Sequence, residues 1–346
     1  MEATTRVLFL VRSVELLTMS EGLYIRTAKQ ISIQQPLSEE WMHHPLHYDG
    51  MEFAHAIEAN YRDYLSPMET RRMAPIMKRA IATAIETIKQ SGIEHPDAII
   101  TGTSIGSLDY TERFLDSMIE NGEELLKPTY FMQSTHNTVG SMLGIYTKTH
   151  SYNTTYSHGE LSFDLALQDA FTQLRLGKIR NALVCGNDEI VDSYYELLKK
   201  RGYVGIEGMC TCGEVSVAMI LDREPSDESL CRLESINIIR NDIANSNLDL
   251  NDVDVVFTGV NGNPANDQYY NHIFSHLPLV RYKNVFGENF TSSAFGIYAA
   301  AHCLKKGYVP EFMYYARQPQ LPQPIKKILV VNQRGGMDYS LIKMEV

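Results

Sequence analysis

The sequence has few cysteines and no long apolar run. Its five cysteines in 346 residues are too few, and odd in number, for a disulfide-rich secreted scaffold, which indicates a reducing compartment. The apolar run near the N-terminus, Val7 to Val11, is too short for the core of a signal peptide and far too short to span a bilayer. The sequence therefore predicts a cytoplasmic protein without a membrane span.

Positive charge is also scarce. The 31 Lys and Arg residues against 42 Asp and Glu residues give a formal net charge of −11, which repels nucleic acid and anionic membranes. The basic clusters, such as Arg71-Arg72 and Lys199-Lys200-Arg201, are short and typical of solvated helix ends. We expect no nucleic-acid partner, although one of these clusters could dock an acidic carrier protein.

Motifs of several common enzyme classes are missing. The sequence has no GxxxxGK(S/T), HExxH or GxSxG run, so it lacks the signatures of P-loop enzymes, zinc proteases and α/β-hydrolases. The loop from Gly102 to Gly106 lacks the spacing of a dinucleotide site, and Cys210-Thr-Cys212 lacks the second ligand pair of a zinc site. We expect neither a cofactor nor a metal.

The sequence does contain an internal repeat. Residues 97–107 (DAIITGTSIGS) and 254–264 (DVVFTGVNGNP) each lead from an acidic residue through a strand-like apolar run into Thr-Gly and a glycine-containing loop. A helix and a second apolar strand follow in both parts, at 162–188 and at 292–307 with 326–336. Buried strands alternating with helices are typical of sheets covered by helices, so the pattern predicts two similar α/β halves.

The region before this repeat predicts one helix and a less regular segment. Residues 66–92 carry apolar side chains at helical spacing and end at Ser91-Gly92, which predicts a helix that covers one sheet face. The first fifty residues predict only an irregular strand and loop region.

An ordered set of motifs resembles the β-ketoacyl-acyl-carrier-protein synthases, over about residues 66–346. The motifs are TGTSIGSLDYTE (101–112), KPTYFMQSTHNTVGSMLGI (127–145), LVCGNDE (183–189), GEVSVAMILDRE (213–224), NGNPAND (261–267), KNVFGENFTSSAFG (283–296) and VVNQRGGMDYSLI (330–342). The resemblance implies an α/β fold of thiolase-like αβαβα sandwich type, built from two similar halves. We assign residues 1–225 to the N-terminal half with its helical cover and residues 226–346 to the C-terminal half.

The resemblance also implies where catalytic residues would stand. Enzymes of this family use a cysteine nucleophile at a strand-to-helix turn and two histidines that stabilise the developing oxyanion. Aligning the helix that ends at Gly177 without gaps places Glu160 at the nucleophile position, whereas matching the family glycine to Gly159 places Tyr156 there. Neither alignment provides a cysteine, and a carboxylate is a poor nucleophile toward a thioester.

The two histidine positions are substituted as well. Counting back from Pro264 places the first at Gly259, and the Lys283-to-Gly287 run places the second at Glu288. Gly259 has no side chain, and an ionised Glu288 accepts but does not donate hydrogen bonds. The resemblance thus implies that the scaffold motifs are kept while all three catalytic positions are changed.

Other polar residues are candidates for the pocket. His158 is either a relic base or a turn residue. The resemblance implies that His136 lies by the dimer contact and pocket; alternatively it is a buried histidine bonded to backbone. Lys283 could pair with Glu288 or Glu160 in a dry pocket. Asn261 and Asn289 are the remaining pocket candidates.

Three functional hypotheses follow from the resemblance. The first is a non-catalytic subunit of chain-length-factor type, similar to homologues in aryl-polyene, flexirubin and dialkylresorcinol type pathways. It would pair with a Cys-containing ketosynthase, line that partner's acyl tunnel, and leave docking of the acyl carrier protein to the partner. The alternative is a 3-oxoacyl-ACP synthase-like acyltransferase or malonyl-ACP decarboxylase with a re-tooled site, which a cavity cysteine such as Cys210 or Cys212 would favour. The third is a homodimeric module that binds an acyl chain or carrier protein without chemistry.

Overall fold

The computed structural model describes residues 22–124, 126–240, 243, 250–274, 276–315 and 323–346. The apolar run Val7 to Val11 lies outside these residues. None of the described helices is both long enough and apolar enough to cross a membrane.

The described strands form one mixed sheet of ten. In chain order they are β1 (Leu23–Ile31), β2 (Ala98–Gly102), β3 (Tyr152–Tyr156), β4 (Asn181–Asp188), β5 (Val215–Asp222), β6 (Cys231–Arg240), β7 (Val255–Thr258), β8 (Leu279–Arg281), β9 (Lys327–Arg334) and β10 (Asp338–Glu345). Their order across the sheet is β3-β2-β4-β5-β1-β6-β10-β9-β7-β8. Outward from the junction of β1 with β6, the strands run β1-β5-β4-β2-β3 on one side and β6-β10-β9-β7-β8 on the other. The two sides therefore repeat the same topology.

The junction between the two half-sheets is short. Strand β1 pairs with β6 only through Leu23 with Leu233, Tyr24 with Arg232, and Ile25 with Cys231, whereas β10 pairs with β6 along most of its length. The predicted boundary between residues 225 and 226 falls in the connection from β5 to β6, and it stays a prediction.

The described α-helices lie on both faces of this sheet. They are α1 (Pro67–Thr70), α2 (Pro75–Ser91), α3 (Leu108–Asn121), α4 (Pro128–Ser134), α5 (Thr138–Thr147), α6 (Ser162–Arg175), α7 (Asp192–Lys200), α8 (Pro264–Phe274), α9 (Lys283–Phe286) and α10 (Ser293–Lys306). Short 3-10 helices occupy Glu40–Met42, Tyr61–Asp63 and Glu311–Met313.

Buried apolar residues form a layered core. One cluster joins α6 and α10 to the inner faces of both half-sheets, for example through Phe163, Phe295 and Phe257. A second cluster packs α2 and α5 on the outer face of the first half-sheet, and a third packs Tyr270 and Phe274 of α8 on the outer face of the second. The layers are therefore helix, sheet, helix, sheet, helix, as the sequence resemblance implies.

The local predictions agree with these elements. The helix expected over 66–92 is divided into α1 and α2, because Pro75 occupies the first turn of a new helix, where a missing N–H costs nothing. Gly92 ends α2 with a left-handed φ of 71°, and α2 covers β5, β1 and β4. The irregular N-terminal region contains β1 and the Trp41 loop.

Candidate functional site

A cavity of about 300 Å³ contains most of the polar residues that the sequence places in the site. Its walls come from the turn before α6, the end of α7, the start of β5, the loops after β7 and α9, and the turn after β9. The lining residues are Glu160, Ile190, Leu198, Arg201, Gly202, Tyr203, Val204, Cys212, Asn261, Asn263, Ala265, Asn266, Tyr269, Lys283, Glu288, Asn289, Phe290, Gln333 and Gly335.

Glu160 lies in the turn that leads into α6. Gly159 adopts a left-handed φ of 56°, and the Ser162 hydroxyl donates to the Gly159 carbonyl at 2.7 Å, which closes the turn. The Asn332 amide donates to the Glu160 carbonyl at 2.7 Å. The turn therefore holds Glu160 at the amino end of α6, where the helix dipole favours a negative charge.

Glu288 is neutralised by its neighbours. The Lys283 ammonium donates to both of its carboxylate oxygens, at 2.8 and 2.9 Å, and the Asn261 amide donates to one of them at 2.5 Å. The side chains of Lys283 and Glu288 are only 7% and 13% exposed. Of the two pairings anticipated for Lys283, the structure contains the one with Glu288.

Gly259 follows β7 and has no room for a side chain. A Cβ atom built there would lie 2.4 Å from the Tyr270 hydroxyl oxygen and 3.2 Å from that of Tyr282, and both tyrosines are buried. The space in which a residue at this position would extend is thus already filled. This loop instead presents the carboxamides of Asn261 and Asn263 to the cavity.

The other carboxamides of the cavity form hydrogen bonds with the protein itself. The Asn289 amide donates to the Gly213 carbonyl at 2.7 Å, and the Gln333 amide donates to Asn266 Oδ1 at 2.6 Å. Asn266 in turn donates to the Gly259 carbonyl. These bonds fix the cavity wall and use most of its hydrogen-bonding capacity.

Three predicted candidates lie away from this cavity. Tyr156, the last residue of β3, packs against the central core, and burial raises the pKa of its hydroxyl to about 12. His158 approaches Asp338 instead, with Nε2 at 3.9 Å from Oδ2. His136 is exposed, lies beside Gly106 and precedes α5, so the alternative that it is a buried histidine is wrong; it does not line this cavity, and its place by a dimer contact stays a prediction.

Cys212, one of the two cysteines named as possible cavity residues, does line this cavity, and so does Arg201, which the sequence did not identify as a member of the site. Burial, and then the negative charge of Glu288, raise the pKa of the Cys212 thiol well above its usual value. Cys210, two residues earlier, lines a different cavity. Arg201 belongs to a basic cluster, so its charge suggested only a solvated helix end; the path of the chain after α7 brings it to the cavity.

A buried ion cluster supports the cavity wall beyond Cys212. Arg79 of α2 donates to both carboxylate oxygens of Glu214, each at 2.8 Å, and also lies 3.6 Å from Glu189. Burial alone would raise the pKa of Glu214, but Arg79 and His55 lower it to about 2. The ionised pair fixes the start of β5 and with it residues 212–214.

No metal site accompanies these groups. Within the described residues, no group of three or more His, Cys, Asp or Glu side chains is arranged to hold an ion.

Comparison with known proteins identifies the family. The sequence matches the model described as "Beta-ketoacyl synthase, N-terminal domain" over residues 39–252, which is more than half of the chain. The chain therefore belongs to the β-ketoacyl synthase family. A search of the curated proteins finds no match.

Solved structures confirm the fold. The chain is similar to "The ishigamide ketosynthase/chain length factor", with a TM-score of 0.77 and 14% identity over 94% of this chain and 99% of that chain. It is also similar to a β-ketoacyl synthase from Burkholderia phymatum, with a TM-score of 0.72, 14% identity and coverage of 94% and 99%. A third similar structure is a ketosynthase (ApeO) in complex with its chain length factor (ApeC) from Xenorhabdus doucetiae, with a TM-score of 0.69, 14% identity and coverage of 94% and 98%. The thiolase-like α/β class inferred from the sequence is thus confirmed.

Proposed function

We propose that this chain is a non-catalytic, chain-length-factor-type subunit that pairs with an active ketosynthase in acyl chain elongation of fatty-acid or polyketide type. The observation that carries the proposal is the state of Glu288. At the position where the family resemblance implies a hydrogen-bond-donating histidine, this chain has a carboxylate paired with a buried lysine.

A carboxylate at this position is unfavourable for the chemistry of condensation. Decarboxylation and thioester attack develop negative charge on an oxygen, and donors aimed at that oxygen lower the barrier. Glu288 offers acceptor atoms only, and Lys283 already donates to them. The Gly259 position is filled by tyrosine hydroxyls. The position of the nucleophile carries the Glu160 carboxylate. None of the three positions therefore provides a nucleophilic thiol or an imidazole.

Cys212 is the feature that could favour the alternative, an acyltransferase or decarboxylase with a re-tooled site. The reactive form of cysteine is the thiolate, which catalytic sites favour with a positive charge or a helix amino end. Cys212 is 1% exposed, its pKa is raised, and the nearby charge that acts on it most strongly is the negative Glu288. These properties favour an unreactive thiol.

The edge of the first half-sheet supplies a surface for the partner. Strand β3 ends the sheet, so one side of its backbone is available for pairing with another strand. Tyr152 of β3 and Ile145 of α5, a helix that contacts β3, are exposed, and so are Phe131 and Met132 of α4, which contacts α5; we call these four side chains the β3 edge surface. The occupant we assign is a ketosynthase, since similar structures are described as ketosynthase and chain length factor together.

The acyl carrier protein would dock on that partner. A formal charge of −11 on this chain disfavours direct contact with an acidic carrier.

Reconstitution tests the proposal. The purified chain is incubated with acyl-carrier and malonyl-carrier substrates, alone and with a co-expressed ketosynthase, while intact mass and released CO₂ are followed. We expect no acylation and no CO₂ from the chain alone, and a change in product chain length when it joins the pair.

Two variants separate the rival functions. If the parent chain alone is acylated and Cys212→Ser is not, the site is catalytic and the proposal fails. Malonyl turnover that is present in the parent and lost in Glu160→Ala would instead establish a decarboxylase. A stable homodimer that retains lipid and ignores the ketosynthase would indicate the binding module.

A further inference from the structure

A second cavity lies on the other side of the segment Cys210 to Cys212. It encloses about 540 Å³ between residues 47–52 and 205–211, with Arg281 and Asn284 in its wall. Cys210 lines this cavity, whereas Cys212 lines the candidate site. The two spaces are thus separate, and the proposed function does not use this one.

Arg281 is a positively charged residue in the wall of this second cavity. It is the last residue of β8, so it lies at the carboxyl end of a strand that runs parallel to β7. Its guanidinium carbon lies 4.8 Å from the centre of the Tyr315 ring. Stacking of this kind holds the planar guanidinium in a fixed orientation without using its N–H groups.

Within the part of the chain that the structure describes, the guanidinium of Arg281 has no hydrogen-bond acceptor. Its Nε atom is buried and has no hydrogen-bond partner, and within the described residues no carboxylate oxygen lies within 4 Å of the guanidinium. Arg281 lines the cavity and is only half-buried, so a ligand there can reach the accessible part of its side chain, although not the enclosed Nε atom. Glu52, a carboxylate of the same cavity, accepts hydrogen bonds from Lys199 and Tyr195 instead.

We propose that this cavity binds an oxyanion, the phosphate or carboxylate group of a small organic molecule, on Arg281. A fixed guanidinium presents two parallel N–H donors that match such a group. The exposed Asn284 lines the same wall, and its amide adds a neutral donor. The crevice at the carboxyl ends of parallel strands is also where α/β sheets commonly bind ligands.

The rim of the cavity limits which anions fit. Asp49 and Glu207 line it and are exposed. They repel a highly charged ligand weakly, because solvent screens them, and they can accept hydrogen bonds from hydroxyl groups. A hydroxylated monophosphate or carboxylate therefore satisfies both the wall and the rim.

Calorimetric titration of the full chain tests this inference, with inorganic phosphate, glycerol 3-phosphate and acetate as probes. We expect saturable binding of at least one probe to the parent and binding at least tenfold weaker in Arg281→Gln. Arg281→Lys keeps the charge but loses the planar pair of donors, so we expect intermediate affinity. The relative affinities for the phosphates and acetate identify the anion.

Arg62→Gln is the matched control, since Arg62 is an exposed arginine that lines neither cavity; it should bind the probes like the parent. Should Arg281→Gln fail to fold, Arg281→Lys and Asn284→Ala carry the comparison, because Asn284 is exposed. Absence of binding to the parent, or equal binding by parent and Arg281 variants, would overturn the assignment.

Discussion

At the residue scale, Lys283 and Glu288 form a buried ion pair at a position where the family resemblance implies a catalytic histidine. Moving two charges out of water is costly, and mutual attraction repays it only when geometry is good. Here both carboxylate oxygens accept from the ammonium and one also accepts from Asn261. The cavity therefore depends on the pair being complete.

Removing one member of the Lys283–Glu288 pair should destabilise the folded chain. In Glu288→Gln the ammonium of Lys283 loses its counter-charge, and we expect a loss of about 3 kcal/mol in the free energy of unfolding. The double variant Lys283→Met with Glu288→Leu should lie much closer to the parent. Urea denaturation measures both. Lys199→Ala, which breaks an exposed pair with Glu52, is the control and should leave the denaturation midpoint nearly unchanged, because solvent screens an exposed pair.

Glu189 predicts a pH dependence of stability. Burial raises its pKa from 4.5 to about 7, although Arg79 and the backbone N–H of Asp109 act in the opposite direction. The folded chain therefore holds this proton more tightly than the unfolded chain does. Its contribution to stability is fully present below pH 4.5 and is lost as the pH rises through about 7.

Glu189→Gln, which is neutral at every pH, should flatten the stability profile between pH 4.5 and 7 in denaturation experiments. Glu214 affects stability in a different pH range. Its pKa is lowered to about 2, so its contribution is present above pH 4.5 and is lost as the pH falls from 4.5 toward 2. His55, whose pKa is raised chiefly by its hydrogen bond to Glu214, loses its contribution as the pH rises from 6.5 upward. An unchanged slope below pH 6 in Glu189→Gln would contradict the prediction.

Part of the candidate site could be predicted from the sequence. Lys283 and Glu288 lie five residues apart around Gly287, so the chain itself keeps them close, and their pairing could be anticipated. His136 and His158 could not be placed, because closeness in sequence to a turn does not determine which way a side chain points. Arg281 and Tyr315 meet through the tertiary fold, and no local pattern signals such a contact.

At the scale of elements, the repeat in the sequence corresponds to a repeat in the sheet. The Thr-Gly ends of β2 and β7 were recognisable because each buried strand is a continuous apolar run. The sequence does not identify the antiparallel strands β6 and β10 as counterparts of β1 and β5, because both strands mix apolar with polar residues. The order of the strands could not be predicted from the sequence either, because it depends on pairing between distant segments.

Helix α10 is the element that should tolerate change least. Every residue from Ser293 to Leu304 is buried, because the helix lies between the two half-sheets. Ala299→Leu adds volume where no space exists and should cost about 1–3 kcal/mol of unfolding free energy. Lys306→Leu at the exposed end should change it by less than about 0.5 kcal/mol. Equal effects of the two substitutions in thermal and urea denaturation would refute a close-packed centre.

At the scale of the whole molecule, the β3 edge surface predicts how the chain associates. Ile145 is 68% exposed, and a charge there should prevent an apolar contact without disturbing the core. We expect Ile145→Glu to abolish co-purification with the ketosynthase while the circular dichroism spectrum and melting temperature stay unchanged. Met337→Glu places the same charge at another exposed apolar residue, in the turn between β9 and β10, and should leave the complex intact.

The buried carboxyl of Asp164 also constrains how the chain is made. Asp164 lies in α6, yet its hydrogen-bond donors are Ser293 and Asn332, which are 129 and 168 residues further along. Contacts over such separations form late, since long loops must close first. During synthesis α6 therefore leaves the ribosome well before the residues that satisfy it. The centre of the molecule can close only after Asn332 has emerged, so the nascent first half must avoid aggregation until the residues around Asn332 have been translated.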